Sequence, residues 1–222
     1  MLAPASRPFP PSAIPSLPLS TSAIVLLKRP PSDAFQGLTV FSPEHGVLQV
    51  QQRLPKKTAA TTVALDLFDE AALDLESSNQ GRTWFVKEVV LTARHTAIGR
   101  SYAALRLACE LAALVARNPV HEESRRAVAD LLHSAFTAFA RGAAPDLVWL
   151  KSIYRFARDE GYPVAQQWLP TLPDDLRAVA QHLLHTPLPA LAEVSPADLR
   201  SAPILHGRLA DYLRGHTEIL LE

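Results

Sequence analysis

The spacing of apolar residues divides the chain into two parts with different periods. From Thr21 to about Arg94, short runs with alternating apolar residues are separated by turn residues, which is typical of β-strands. From Gly99 onward, apolar residues recur about every 3.6 positions, the period of helices that cover a core. We therefore predict a β unit over residues 21–94 and an all-helical unit over residues 95–222.

The β unit contains five extended runs. In the order of the chain they are TSAIVLLKR, FQGLTVFS, VLQVQQRL, TTVALDLFDEAALDLESS and RTWFVKEVVLTAR. The turn PEHG joins the second run to the third, and its Gly46 can adopt the positive φ that a tight turn requires. Five short strands joined by turns suggest a small closed sheet, and a five-stranded barrel of this size matches the OB-fold.

Capping residues predict where several helices begin. Asn118 and Pro119 match the N-cap and first position of a second helix. In the segment SPADL, Ser195 is predicted as an N-cap, and the last helix is predicted from about Pro203. Because no glycine- or serine-rich linker separates the two units, we expect an α+β protein in which the N-terminal OB-fold barrel packs against the C-terminal helical domain.

Residues 1–20 form a proline-rich leader. Six prolines in MLAPASRPFPPSAIPSLPLS exclude a helical signal core and favour a disordered, extended segment. Two alternatives remain for this leader: a tail without function, or a start codon chosen too far upstream.

Charge distribution is more informative than total charge. The chain has 22 basic and 22 acidic residues, which argues against a strongly cationic coat but permits a local basic patch. Basic residues of the β unit cluster at positions 28–29 and 53–57, whereas its acids cluster at 66–76. We expect a barrel with one positive and one negative side, although loops are also charged simply because they are solvated.

OB-fold barrels bind single-stranded nucleic acids with a charged groove and stacking aromatic rings. The predicted DNA-binding residues are Lys28, Arg29, Arg53, Lys56, Lys57, Arg82 and Lys87. The candidate stacking rings are Phe35, Phe41, Phe68, Trp84 and Phe85, most of which are expected in the core. Since neighbours in a strand face opposite sides, only one of Trp84 and Phe85 can point inward.

The sequence gives little support for catalytic or metal chemistry. A single cysteine, Cys109, cannot form an internal disulfide or a cysteine-rich zinc site, and it fits a reducing, cytoplasmic compartment. His182 and His185 could share a metal on one helix face, but no third ligand is evident. Neither a G-x-S-x-G motif nor a phosphate-binding glycine loop occurs, so we expect no enzymatic activity and no cofactor. The sequence contains no run of about 18 apolar residues, the length that a membrane-spanning helix requires.

Several segments together resemble the RecO family of bacterial recombination mediators. The segment AIVLLKRPPSDAFQGLTVFSPEHGVLQV is similar to the first barrel strands of the family, with Ser42, Glu44 and Gly46 in its T-x-E-x-G type turn. QRLPKKT lies where the family has a basic loop, LKSIYRFARDEGYPV resembles the helix that ends in a Gly-Tyr-x-Pro-like motif, and HGRLADYLRGHTEILL resembles the last helix. The resemblance runs from about Thr21 to the end of the chain.

Two departures from the family pattern are visible. Gln51, Gln52 and Arg53 replace the glycine-containing turn that usually begins the basic loop. The four zinc-binding cysteines of many members are missing, so the chain resembles the members that lack zinc.

The resemblance implies a function in DNA repair and recombination after DNA damage. RecO proteins bind single- and double-stranded DNA, anneal complementary strands, contact the single-strand-binding protein and RecR, and help to load RecA at gaps. A nucleoid-associated cytoplasmic location would follow. Arg125, Arg126, Arg155 and Arg158 could then bind the acidic tail of the single-strand-binding protein, although ordinary helix surface charge also explains them. The alternatives are a protein-interaction adaptor whose barrel does not bind DNA and a hydrolase with an unrecognised site.

Overall fold

The computed structural model describes residues 17–54, 63–77, 80–187 and 194–221. Its strands are β1 (Leu17–Lys28), β2 (Phe35–Ser42), β3 (Gly46–Arg53), β4 (Glu70–Ser77) and β5 (Trp84–Ala93). They close into a barrel in the order β1-β2-β3-β5-β4, in which β3 and β5 are parallel and the other neighbours are antiparallel. The prediction of a five-stranded OB-fold barrel followed by a helical domain is confirmed.

The barrel interior is filled by alternate residues of all five strands. Its buried side chains include Val25, Leu38, Val40, Val50, Leu73 and Trp84. The buried amide of Gln52 ties the segment before β4 to the barrel, since its Nε2 donates to the Val63 carbonyl at 2.7 Å and its Oε1 accepts from the Leu65 amide at 3.0 Å. Both ends of that amide are therefore satisfied, as burial of a polar group requires.

Two strand boundaries differ from the sequence prediction. β1 begins at Leu17, four residues before Thr21, because residues 17–20 pair with residues 74–77 of β4. The remaining leader, residues 1–16, lies outside the described residues. The long run before Ser77 is a strand only from Glu70 onward, since a turn interrupts it at residues 66–69, where Phe68 adopts a positive φ of 66°.

The helical domain contains six α-helices within the described residues. They are α1 (Tyr102–Arg117), α2 (Arg125–Ala140), α3 (Pro145–Asp159), α4 (Val164–Gln167), α5 (Asp174–His185) and α6 (Pro196–His216). The short α4 was not predicted from the sequence. No described helix combines the length and the apolar character needed to cross a membrane.

Two predicted helix starts are wrong. Asn118 ends α1 instead of beginning the next helix: its Nδ2 donates to the carbonyls of Leu114 and Leu220, and its Oδ1 accepts from the Leu220 amide. Pro203 lies inside α6, which begins at Pro196 after the predicted N-cap Ser195, whose Oγ accepts from the Asp198 amide at 3.1 Å. Helix α6 therefore continues through a proline that the sequence predicted to be its start.

The barrel and the helical domain share a hydrophobic core, as predicted from the absence of a linker. Ile24, Leu26, Phe41 and Phe68 project from the barrel into the cluster that also contains the buried faces of α1 and α2. The ring of Phe68 packs against Phe136 of α2 with centroids 4.7 Å apart. The two units are thus joined by apolar packing along one side of the barrel.

The S-x-E-x-G turn between β2 and β3 connects the same two units. The Arg125 Nη1 atom donates to the Glu44 carbonyl at 2.9 Å, and the Arg125 side chain lies over Gly46. Burial alone would raise the pKa of Glu44, but the hydroxyls of Thr21 and Ser42 donate to its carboxylate and lower its pKa. The residues of this turn therefore have a structural role, because they fix the barrel against the start of α2.

Candidate nucleic-acid interface

The side of the barrel formed by β2 and β3 carries a polar surface, which we call the outer face. Inward residues such as Leu38, Val40 and Val50 pack in the barrel core, so the positions between them point outward. The outward residues away from the helical domain are Phe35, Gly37 and Thr39 of β2 and Gln49, Gln51 and Arg53 of β3. The strand register places them in three opposed pairs, Phe35 with Arg53, Gly37 with Gln51, and Thr39 with Gln49.

Arg29 extends across this outer face from the end of β1. Its Cδ lies 3.5 Å from the position that a Cβ at Gly37 would occupy. Its Nη2 donates to the Gln49 Oε1 at 2.8 Å, and the Thr39 hydroxyl donates to the same oxygen at 3.3 Å. Glycine at position 37 therefore leaves room for the arginine to lie against the sheet.

Two aromatic rings stand at the Arg53 end of the outer face. Phe35 of β2 and Phe85 of β5 meet edge to face, with centroids 5.6 Å apart and planes at 70°. Because β3 lies between β2 and β5, the two rings meet across that strand. Both are half-buried, so part of their surface is open to a ligand.

The other candidate rings belong to the core. Trp84 is buried inside the barrel and its neighbour Phe85 faces outward, which confirms that only one of the pair points inward. Phe41 and Phe68 are buried against the helical domain. Of the five aromatic residues considered from the sequence, Phe35 and Phe85 alone lie at the outer face.

The predicted basic residues fall into three groups. Arg29 and Arg53 lie at the outer face, and none of the outward residues named above is acidic. Lys28 is paired with Asp66 at 3.0 Å, and Lys87 is paired with Glu76. These two lysines are thus balanced by carboxylates of the same barrel.

The remaining three basic residues lie in connections between strands. Arg82 is exposed in the connection from β4 to β5, and in OB-folds this connection flanks the ligand-binding face of strands 2 and 3. Lys56 and Lys57 lie outside the described residues. The structure therefore brings Arg29 and Arg53 to one surface and places Arg82 in the adjacent connection.

Sequence reasoning missed the amide and hydroxyl groups of the outer face. Thr39, Gln49 and Gln51 carry no signal by residue type, because neutral polar residues in a strand are ordinary on any solvated surface. The available signal was the pattern V-L-Q-V-Q-Q-R, in which Gln49, Gln51 and Arg53 share one side of β3. The alternation of inward and outward positions in β3 is enough to place these three residues on one surface.

A separate groove of about 1060 Å³ lies on the helical domain between α2, α3 and the residues that flank positions 188–193. Among the described lining residues, every charged side chain is basic: Arg141, Lys151, Arg155 and Arg158. Asp159, just outside the groove, pairs with both Arg155 and Arg158. Arg125 and Arg126, which the sequence suggested as further contacts for an acidic tail, do not line the groove.

Lys151 has an internal role at the wall of this groove. Its Nζ donates to the carbonyls of Leu183 and Leu184 at 2.7 and 2.9 Å, at the C-terminal end of α5. Burial lowers the pKa of Lys151 to about 8. Lys151 thus satisfies helix carbonyls that have no partner in their own helix.

His185 and Cys109, considered above for metal binding and reactivity, have surroundings that favour a structural role. The Nδ1 of His185 bonds to the Gln181 carbonyl at 2.6 Å, one turn back in α5. Across the described ranges, no group of three or more His, Cys, Asp or Glu side chains is arranged to hold a metal ion. Burial, with a smaller contribution from Glu110, raises the pKa of the Cys109 thiol, which disfavours the reactive thiolate.

Comparison of the sequence with protein-family models finds no match, and comparison with curated proteins finds none either.

Proposed function

We propose that this protein binds single-stranded DNA on the outer face of the barrel. The observation that carries the proposal is the convergence of Arg29, Arg53 and the Phe35–Phe85 pair on one surface whose six outward strand residues include no acid. Guanidinium groups bind phosphates, and exposed ring surfaces stack with bases whatever their sequence. Strands 2 and 3 form the usual ligand-binding face of OB-folds, so the position of this surface supports the same conclusion.

The cellular role that best fits this binding is that of a RecO-like recombination mediator in DNA repair. The proposal is supported by the combination of an OB-fold barrel with a helical domain and by the segments that resemble the family. Annealing requires that two polyanions approach while their bases remain able to pair. Basic side chains lower the repulsion between phosphates, and released counterions favour binding. No covalent step is required, so we propose a mediator and not an enzyme.

Salt-dependent binding tests the DNA proposal. The double variant Arg29→Gln/Arg53→Gln removes two phosphate contacts, so the log–log slope of affinity against salt should fall by about 1.4 for a single strand. Fluorescence anisotropy with a labelled oligonucleotide measures both the slope and the affinity. The matched control is Arg200→Gln/Arg208→Gln, which removes two exposed charges from α6 and should leave both quantities unchanged.

Two outcomes would decide against this assignment. Absence of binding to single strands at low salt would favour the adaptor alternative. An equal loss of affinity in the outer-face variant and in the α6 control would show that the binding is diffuse. The variant Lys56→Glu/Lys57→Glu separately tests the predicted basic loop, and unchanged binding would remove that loop from the interface.

We also propose that the groove on the helical domain binds the acidic tail of a single-strand-binding protein. Arg155 and Arg158 line the groove and share Asp159 as their ion-pair partner, so the two arginines keep one net positive charge between them. With Arg141 the described lining stays net basic, and this charge complements an acidic peptide. A labelled acidic peptide should bind the native protein and lose affinity when Arg155 and Arg158 are replaced by glutamine. Native-like affinity in that variant would contradict the assignment.

A further inference from the structure

Gln49 is held in one orientation on the outer face. Its Oε1 accepts two hydrogen bonds, from the Arg29 Nη2 at 2.8 Å and from the Thr39 hydroxyl at 3.3 Å. An amide oxygen has two lone pairs, so both acceptor positions of Gln49 are occupied. The hydrogen-bonding capacity that remains on this side chain is the two N–H donors of Nε2.

The surroundings of Gln49 are also rich in donors. The Gln51 Nε2 lies 3.5 Å from the position of a Cβ at Gly37, and the Arg29 guanidinium carries further N–H groups. None of the outward side chains of β2 and β3 is a carboxylate. The outer face therefore offers a ligand many hydrogen-bond donors and few acceptors.

Resting on the proposed binding of single-stranded DNA, we infer that Gln49 gives the outer face a preference for keto bases. Uracil, thymine and guanine present a carbonyl oxygen where cytosine and adenine present an amino group. A donor fixed by Arg29 and Thr39 can bond to that oxygen. In the amino bases this donor would face another donor. A rotated amide would turn its Nε2 toward the Arg29 guanidinium, which only donates, and would lose that hydrogen bond.

Homopolymers of deoxyuridine and deoxycytidine provide the sharpest test. Oligomers of about 15 nucleotides cover the site of an OB-fold. The two polymers share the same backbone and ring size, and their bases differ only at position 4, which is oxo or amino, and at N3, which is a donor in uracil and an acceptor in cytosine. Competition measured by fluorescence anisotropy should show roughly three- to tenfold tighter binding of the uridine oligomer, the contribution expected from one hydrogen bond.

Two variants assign this preference to the fixed amide. Gln49→Leu should bring the affinity ratio close to one, while the salt slope, which reports phosphate contacts, stays as in the native protein. Thr39→Val removes one of the two hydrogen bonds that orient the amide and should give an intermediate ratio. Gln181→Leu, an exposed glutamine of α5, is the control and should leave the ratio unchanged.

The possible failures are distinguishable. If neither oligomer binds at low salt, the proposed function fails and this inference fails with it. If both bind equally, or if cytidine binds more tightly, the inference alone is overturned. An unchanged ratio in Gln49→Leu also overturns it, and Thr39→Val decides the matter if circular dichroism shows that Gln49→Leu does not fold.

Discussion

At the scale of single residues, the outer face depends on a glycine that has no unusual backbone conformation. Gly37 lies in the middle of β2, opposite Gln51, and Arg29 packs directly over it. A Cβ at this position would meet Arg29 and Gln51 atoms at 3.5 Å or more, which is ordinary van der Waals contact. Substitutions here can therefore change the surface without straining the barrel.

We predict that Gly37→Ala folds normally and binds DNA nearly as well as the native protein. Gly37→Glu should also fold, because the atoms that cover this position belong to the flexible side chains of Arg29 and Gln51, which can move aside. Its carboxylate would compete with phosphates for Arg29 and place a negative charge within the proposed interface. Urea denaturation and anisotropy measure the two properties separately. Native-like DNA binding by Gly37→Glu would show that the outer face is not the interface.

Gly46 provides the opposite case, because its φ of 71° lies in the left-handed region. A Cβ here would stand 3.2 Å from the Arg125 Nε, so Gly46→Ala combines backbone strain with crowding at the junction of the two units. We expect it to lower the free energy of unfolding by roughly 1 to 2 kcal/mol. Gly37→Ala is the matched control, and an equal effect in both variants would contradict the explanation.

At the scale of elements, local patterns predicted the hairpin of β2 and β3 but not the extent of β1. The hairpin depends on alternation and on Gly46, which are close in sequence. The first four residues of β1 are strand because they pair with β4, more than fifty positions away. Asn118 was misassigned for a similar reason, since its side chain bonds to Leu220 from the other end of the domain.

The end of α5 gives a pH-dependent prediction. Burial lowers the pKa of Lys151 to about 8 from its ordinary value of 10.5, so above pH 8 the unfolded chain binds more protons than the folded chain. The contribution of Lys151 to stability therefore rises with pH between these two values and is constant below about 8. Lys151→Met removes this contribution.

Urea denaturation between pH 7 and about 9.5 measures the effect. Relative to Lys151→Met, the native protein should gain stability as the pH rises through this window. A constant difference between the two proteins would show that Lys151 titrates at its ordinary value. A shrinking difference would show that its charged form is favoured in the folded state.

At the scale of the whole molecule, the sequence predicted the fold better than it predicted the surroundings of individual charges. Alternation indicated an OB-fold barrel, and the fold indicates which face binds ligands. Lys28 and Lys87 were chosen for their charge, but Asp66 and Glu76 neutralise them, and such pairs depend on how the chain folds. Arg29 and Arg53 are distinguished from them by their position over β2 and β3.

The barrel and the helical domain share one apolar layer, so we predict that they unfold together. Phe41 is fully buried in that layer, along with Ile24, Leu26 and Phe68 of the barrel and the inner faces of α1 and α2. The Glu70 carboxylate adds polar contacts across the junction, accepting from His95 at 2.9 Å and from His133 of α2 at 2.8 Å. Neither unit retains these partners if the other unfolds.

Native-state hydrogen exchange tests this prediction without dividing the chain. The slowest amides of β2 and of α2 should report the same opening free energy, and Phe41→Ala should lower both by about 3 to 5 kcal/mol, the usual cost of removing a buried aromatic ring. If the two units were independent, Phe41→Ala would lower the value for β2 and leave α2 almost unchanged. Phe41 lies on the same side of β2 as Phe35, Gly37 and Thr39. Coupled unfolding would therefore also mean that packing of the helical domain against Phe41 stabilises the strand that carries the outer face.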